Sequence, residues 1–477
     1  MMNDNSGPEK DFNRLLEQFE TARETNKTIY LDSEDYCDIA NFYLRENAIE
    51  NGHDAINRGL KIHPNHTVLL SIQVSLYIAE DKLTEAREVL ESIPNRNNIY
   101  ARVAEGELLT HEGEKEVART ILKSIKMEDL KGDFSLMVTI TFLFSQLEMP
   151  DEALEWIHAN ILNNPSEDEV FKAALAEGYS ILGMNDEASL LYNELLDTDP
   201  YNSEYWIGLA NCLFGQAEYN KVIEAIDFAL VSDESNGEAH SLKANAFLQL
   251  NNYEKALEEY QLSDLSPLYL HLFMGYCYIG LQQDEVAYYQ FSEALEHTEI
   301  DDTISIHIIQ NIVRCARAIG KDKEAYDYCI LLENNFPDLA DGFLLHGTLY
   351  MEDGDLTEAL SYWQKALKIS NSAFVWYQMA TSTFNAGYYS NAEPFFEKVE
   401  LLEPDYEETN RYLTTLYLYL GDVEKFLIYR NKLFLSLETE VHPDIDTLLQ
   451  ILKIDYSDLT PEANLLLLRL ENDKLYD

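Results

Sequence analysis

One residue skeleton recurs along this chain at a nearly fixed distance. Residues 354–370 read GDLTEALSYWQKALKIS, and residues 387–405 read GYYSNAEPFFEKVELLEPD. In each, a glycine is followed by a small residue, an aromatic four places on and a small or β-branched residue three places beyond that. The small residue makes a ruler, as in Ala359, then Trp363 and Ala366. It lands on Gly52, Ala86, Ala118, Ala153, Ala188, Val222, Ala256, Ala287, Ala325, Ala359, Ala392 and, more weakly, Phe426. The intervals are 34, 32, 35, 35, 34, 34, 31, 38, 34, 33 and 34 residues. Self-similarity at such a period marks a solenoid, propeller or array.

The phasing within each unit chooses among these. Upstream of Ala359 stand Phe343, Gly347 and Tyr350; upstream of Ala392, Trp376 and Ala380; upstream of Val222, Trp206, Ala210 and Gly215. Apolar residues three and four apart on both sides of a turn specify two amphipathic helices, so each unit is a helical hairpin. Gly183, Gly320, Gly354, Gly387 and Gly421 sit where a first helix must end, and glycine takes a left-handed C-cap without steric penalty. Asp355 with Glu358 forms a D-x-x-E capping box for the second helix. Pro64, Pro165, Pro200, Pro337 and Pro404 follow second helices and stop them.

The skeleton of large residue, small residue, aromatic, turn glycine, alanine, aromatic, alanine and proline resembles the tetratricopeptide repeat. It covers residues 33–440 in about twelve units, complete at 340–371 and 373–404 and degenerate at 99–133. The resemblance implies an all-α fold, a right-handed α-solenoid superhelix with capping helices at both ends. Residues 1–32 are expected to form an N-terminal tail and cap, for which DFNRLLEQFETARET at 11–25 is suited, and residues 441–477 C-terminal caps. It also implies that first helices line a concave groove where partners lie. On that plan the inner positions include Phe142, Asn211, Asn245, Tyr276, Arg314, Arg317, Tyr377 and Phe384, with few acids beyond first turns, chiefly Glu107 and Glu177. The family's carboxylate clamp needs basic residues beside its asparagines. Asn41, Asn211 and Asn245 hold suitable positions, but the basic residues are absent.

Two regions depart from the rhythm. Pro267 shortens the hairpin that opens at Tyr253, and HTEIDDTIS at 297–305 lengthens the next, so the stack is expected to bend or open between about 261 and 305. Just beyond, Arg314 and Arg317 share a helix face at i, i+3 spacing. They either pair with neighbouring acids inside the stack or anchor an acidic group of a partner. Near the C-terminus, PEANLLLLRLEN places Leu465, Leu466, Leu467, Leu468 and Leu470 all round a short helix. That helix either lies between two elements of its own chain or meets a second copy as a homodimer.

Charge narrows the partners. With 86 acidic against 34 basic residues the formal charge is −52, which repels phosphate backbones and anionic lipid headgroups. Nucleic acid is excluded as a partner on this ground. Hydrophobic residues at 46% suffice for a continuous core. The start, MMNDNSGPEKDFNRLL, has no basic segment followed by an apolar run, and no stretch has eighteen uninterrupted apolar residues, so no membrane insertion and a cytoplasmic location are expected. Cys37, Cys212, Cys277, Cys315 and Cys329 fall singly and read as reduced core thiols.

No nucleotide-binding glycine loop, nucleophile elbow or zincin motif occurs. HPNH at 63–66 spans a proline-bearing loop without further metal ligands at suitable spacing. EDGDLTE at 352–358 has its glycine misplaced for a calcium loop. No cofactor, metal or catalytic residue is expected. The expected function is a non-catalytic scaffold or adaptor that binds a protein or peptide in its groove; the alternative is a self-assembling structural protein using the groove and the Leu-rich helix.

Overall fold

The computed structural model describes residues 8–472 apart from 26, 46–47, 164–167, 299–302, 405, 407 and 438–444. Among these are twenty-eight α-helices, one short 3-10 turn and no strand. Consecutive helices pair as hairpins, and the chain divides into two compact units, 1–250 and 251–477.

All twelve ruler residues occupy the same place, the fourth residue of a second helix: Gly52 in Ile49–Ile62, Ala359 in Leu356–Ile369, Ala392 in Tyr389–Leu402 and so on through Phe426 in Val423–Ser436. Each is buried, and the seven alanines from Ala153 to Ala392, together with Ala86, Ala118, Val222 and Phe426, have no measurable exposure. A small side chain there lets helices approach. A Cβ on Gly52 would lie 2.7 Å from Leu76, which belongs to the next hairpin. At Gly347 it would lie 2.4 Å from the ring of Trp363, whose buried Nε1 donates to the Leu344 carbonyl at 3.3 Å. The ring therefore occupies the space a side chain would take, and overpacking this contact costs about 1–3 kcal/mol.

The turns follow backbone geometry more than residue type. The predicted glycines Gly183, Gly320, Gly354, Gly387 and Gly421 have φ of 72°, 75°, 80°, 81° and 71°. Asp81, Glu148, Ala217, Asn251 and Gln282 adopt the same left-handed conformation at equivalent turns, with φ between 56° and 61°. The closing hydrogen bond explains why. Asp355 N–H donates to the Tyr350 carbonyl at 2.8 Å, and Glu218 N–H donates to Leu213 at 2.9 Å across a turn that lacks glycine. Gly215 is not a turn residue: it ends the helix Ser203–Gly215, and a Cβ there would meet the Asn185 side chain at 2.3 Å. Asp355 caps its helix by accepting from Glu358 N–H at 3.1 Å. Pro64, Pro200, Pro337 and Pro404 each stand two residues past a second helix, while Pro165 falls outside the described residues.

Polar side chains join successive hairpins at about one repeat's separation. Arg119 pairs with Glu152 at 2.6 Å, Lys425 with Glu393 at 2.6 Å, and the buried Trp156 Nε1 donates to the Ile125 carbonyl at 2.7 Å. The irregular stretch is local. Tyr253–Tyr260 has only eight residues and Pro267 starts the next helix at its first turn, where its missing N–H costs nothing. Among the described residues on either side of it, Leu272, Phe291, Ile309, Cys329 and Leu349 share one core. All five cysteines are free and buried, and burial pushes the Cys37 and Cys277 thiols up to about 12.

At the start, helix Pro8–Glu24 sets Phe19 edge-on to Tyr36 at 6.3 Å. At the other end the helix Pro461–Asn472 divides the leucines. Leu466 and Leu467 are buried with Leu418, Phe434, Leu448 and Leu452 of their own chain, which corrects their assignment to a self-association surface. Leu465 and Leu468 remain about half exposed, at 52% and 54%. The side chain of Leu470 lies outside those described.

Candidate protein-binding groove

In the N-terminal unit the first helices Ser33–Arg45, Thr67–Ala79, Ile99–His111 and Ser135–Gln146 lie side by side, each packing on the next. The row arises because each hairpin presents its first helix at the same phase of the repeat. Along it runs a cleft of about 570 Å³ to which all four helices contribute, together with Phe12 of the N-terminal helix. Leu44, Ile72, Val103 and Leu136 give it apolar walls, and Asn41, Ser71, Ser75 and Thr139 add polar groups.

Among the described residues its charged groups are Asp38, Glu107 and Asp133, and no Lys, Arg or His lines it. Ser75 Oγ donates to Glu107 Oε2 at 2.5 Å, and burial pushes the Glu107 carboxyl above its usual range, against the opposing effect of that hydrogen bond. The Tyr100 hydroxyl donates to Asp133 Oδ2 at 2.6 Å, and Ser135 donates to Oδ1 of the same carboxylate. Burial and this carboxylate acceptor raise the Tyr100 pKa. In the C-terminal unit, helices Asp341–Glu352 and Ala373–Asn385 border a more polar cleft of about 550 Å³, with Thr348, Gln378, Ser382 and Asn385 in its lining.

The positions expected to contact a partner all fall on first helices, Phe142, Asn211 and Asn245 in the N-terminal unit and the others in the C-terminal unit. Phe142 and Asn211 are exposed, and Asn245 is half-buried. Tyr276 is half-buried edge-on to Phe291 at 5.4 Å, and burial raises its pKa. Tyr377 and Phe384 belong to one aromatic cluster, with ring centroids 5.9 and 5.5 Å from Tyr412. The arginines separate. Arg317 bridges Asp322 at 2.7 Å, Glu352 at 3.3 Å and Asp353 at 2.5 Å, joining two hairpins, whereas Arg314 is exposed and has no ion pair among the described residues. The paired alternative therefore holds for Arg317.

Asn41 and Glu107 were legible as inner positions. The expectation of low inner charge fails in this groove, where Asp38 and Asp133 join Glu107. Asp133 precedes its helix and so escapes a reading based on helix phase. A second cluster also went unread: ligand atoms of His271, Glu293 and His297 lie within 4.8 Å of one another, and His271 Nδ1 is 2.9 Å from Gln290 Oε1. Only Glu293 and His297 are neighbours at i, i+4, and His271 comes from the preceding helix.

Paired helices of about 34 residues, with a small residue at a fixed place in each second helix and a left-handed turn between the two, define the tetratricopeptide repeat. The chain is a tetratricopeptide-repeat protein, an architecture of protein-interaction scaffolds. Residues 182–263 match the family described as anaphase-promoting complex, cyclosome, subunit 3. The chain is similar to Protein CTR9 homolog of Arabidopsis thaliana, 24% identical over 317 residues, covering 54% of this chain and 29% of that protein. It is also similar to anaphase-promoting complex subunit 3 of Schizosaccharomyces pombe, at 25% identity over 35% of this chain and 24% of that one. Anaphase-promoting complex subunit 7 of Dictyostelium discoideum is 22% identical over 50% of this chain and 41% of its own length. The chain thus spans less than half the length of each of these relatives. Among the described residues no helix is long and apolar enough to cross a membrane.

Proposed function

We propose that this chain is a non-catalytic scaffold or adaptor that holds a polypeptide partner along its row of first helices. One observation carries the reading: a single cleft of about 570 Å³ receives side chains from four consecutive first helices and mixes apolar walls with polar groups. Such a lining suits a peptide chain, which offers apolar side chains and hydrogen-bonding backbone together. Two of the relatives are subunits of the anaphase-promoting complex, which accords with a role in holding proteins together.

Affinity capture tests it. Thr139→Trp fills the cleft without touching a hairpin contact of the ruler residues, and proteins retained by the wild-type chain should be lost by this variant. Equal recovery by both would contradict the reading. Arg314→Ala, run beside them, asks whether the exposed arginine adds to capture in the C-terminal unit. A second reading, self-association, draws on the half-exposed Leu465 and Leu468. Sedimentation of a strict monomer at high concentration would eliminate it.

A further inference from the structure

We infer that the N-terminal groove receives a lysine or arginine side chain from an extended segment of a partner protein, its cationic end placed against Glu107. The inference rests on the scaffold reading above and specifies the chemistry of the partner. Three observations support it. The groove carries carboxylates from Asp38, Glu107 and Asp133 and, among the described residues, no positive residue in its lining. Its walls, among them Leu44, Ile72 and Val103, are apolar and match the methylene stem of a long basic side chain. Among the described residues Glu107 accepts a hydrogen bond from Ser75 and has no cationic partner, although its recessed position penalises the charged form.

Other occupants fit less well. An acidic segment or a phosphate would be repelled by the carboxylates of Glu107 and Asp133. A bare divalent cation needs six or more oxygen ligands for calcium, or near-octahedral geometry for magnesium. Here both oxygens of Asp133 already accept hydrogen bonds, and the apolar walls cannot complete a coordination shell. A protonated amine or guanidinium on an apolar stem needs neither, and it offsets the penalty that an unpaired recessed carboxylate bears.

The test uses the intact chain and a displayed library of random twelve-residue peptides. Selected peptides should share a Lys or Arg flanked by apolar residues. Synthesised with acetyl-lysine at that position when it is Lys, or with citrulline when it is Arg, they should bind roughly tenfold or more weakly. Glu107→Gln keeps an acceptor for Ser75 and should weaken the unmodified peptides by a similar factor, while Glu116→Gln, which removes an equal charge from an exposed second-helix site, should not. Selected peptides without a basic position, affinity indifferent to Glu107→Gln, or failure to select any peptide would overturn the inference. The two levels remain distinguishable: neutral peptides that bind the wild-type groove and are blocked by Thr139→Trp would sink the basic-side-chain proposal and leave the scaffold reading standing.

Discussion

Two charged side chains act on stability in opposite directions. Glu107 is a carboxyl whose pKa burial raises, so ionising it costs more in the folded chain than in the unfolded one. The resulting loss of stability is absent below the ordinary carboxylate range and grows as pH rises through it. Glu107→Gln should therefore melt at a higher temperature than wild type near pH 7, and the two should coincide near about pH 4, where the unfolded carboxyl is largely protonated. A variant less stable than wild type at neutral pH would contradict this. Arg317 has the opposite role. Its side chain is 19% exposed and reaches three carboxylates, so Arg317→Ala should lower stability by about 1–2 kcal/mol, a figure reduced for the solvent exposure of the acids. Arg314→Ala should leave the melting temperature unchanged. Their i, i+3 spacing was plain in the sequence. That only one of them meets Glu352 and Asp353 was not, because those acids come from the next hairpin.

At the scale of elements, the hairpin is the unit the sequence expresses best. The ruler residue must be small wherever two helices cross closely, so selection of Gly, Ala or Val leaves a periodic trace that needs no tertiary knowledge. Turns were legible only where glycine marked them. Ala217 and Gln282 adopt left-handed turns that their residue types do not announce, since the closing hydrogen bonds impose them. The last helix repeats the lesson. An all-round leucine helix left its orientation open, and packing resolves it by turning Leu466 and Leu467 inward. Truncation before Pro461 should uncover Leu448, Leu449 and Leu452, raise the fluorescence of an added hydrophobic dye and lower the melting temperature. A truncated chain with unchanged dye binding would show that this helix does not cover the core.

For the whole molecule, charge and groove are the governing terms. Isolated surface ion pairs contribute about 0–1 kcal/mol each, whereas 86 acids against 34 bases leave extensive repulsion unpaired. Screening that repulsion should outweigh the screening of surface pairs, so the melting temperature should rise as salt increases from low ionic strength to about 0.15 M, where the Debye length is about 8 Å. A fall over that range would mean that attractive pairs dominate. The period disclosed the row of first helices, but the cleft was not readable, because its lining meets only when hairpins about 34 residues apart are laid side by side. The most direct test of the scaffold account places a photo-crosslinking residue either at Thr139 in the groove or at Leu190, which is 67% exposed on a second helix. On irradiation in native lysate, covalent adducts to another polypeptide should form at Thr139 and not at Leu190. Adducts confined to Leu190, or equal at both positions, would contradict the claim that partners are held along the first helices.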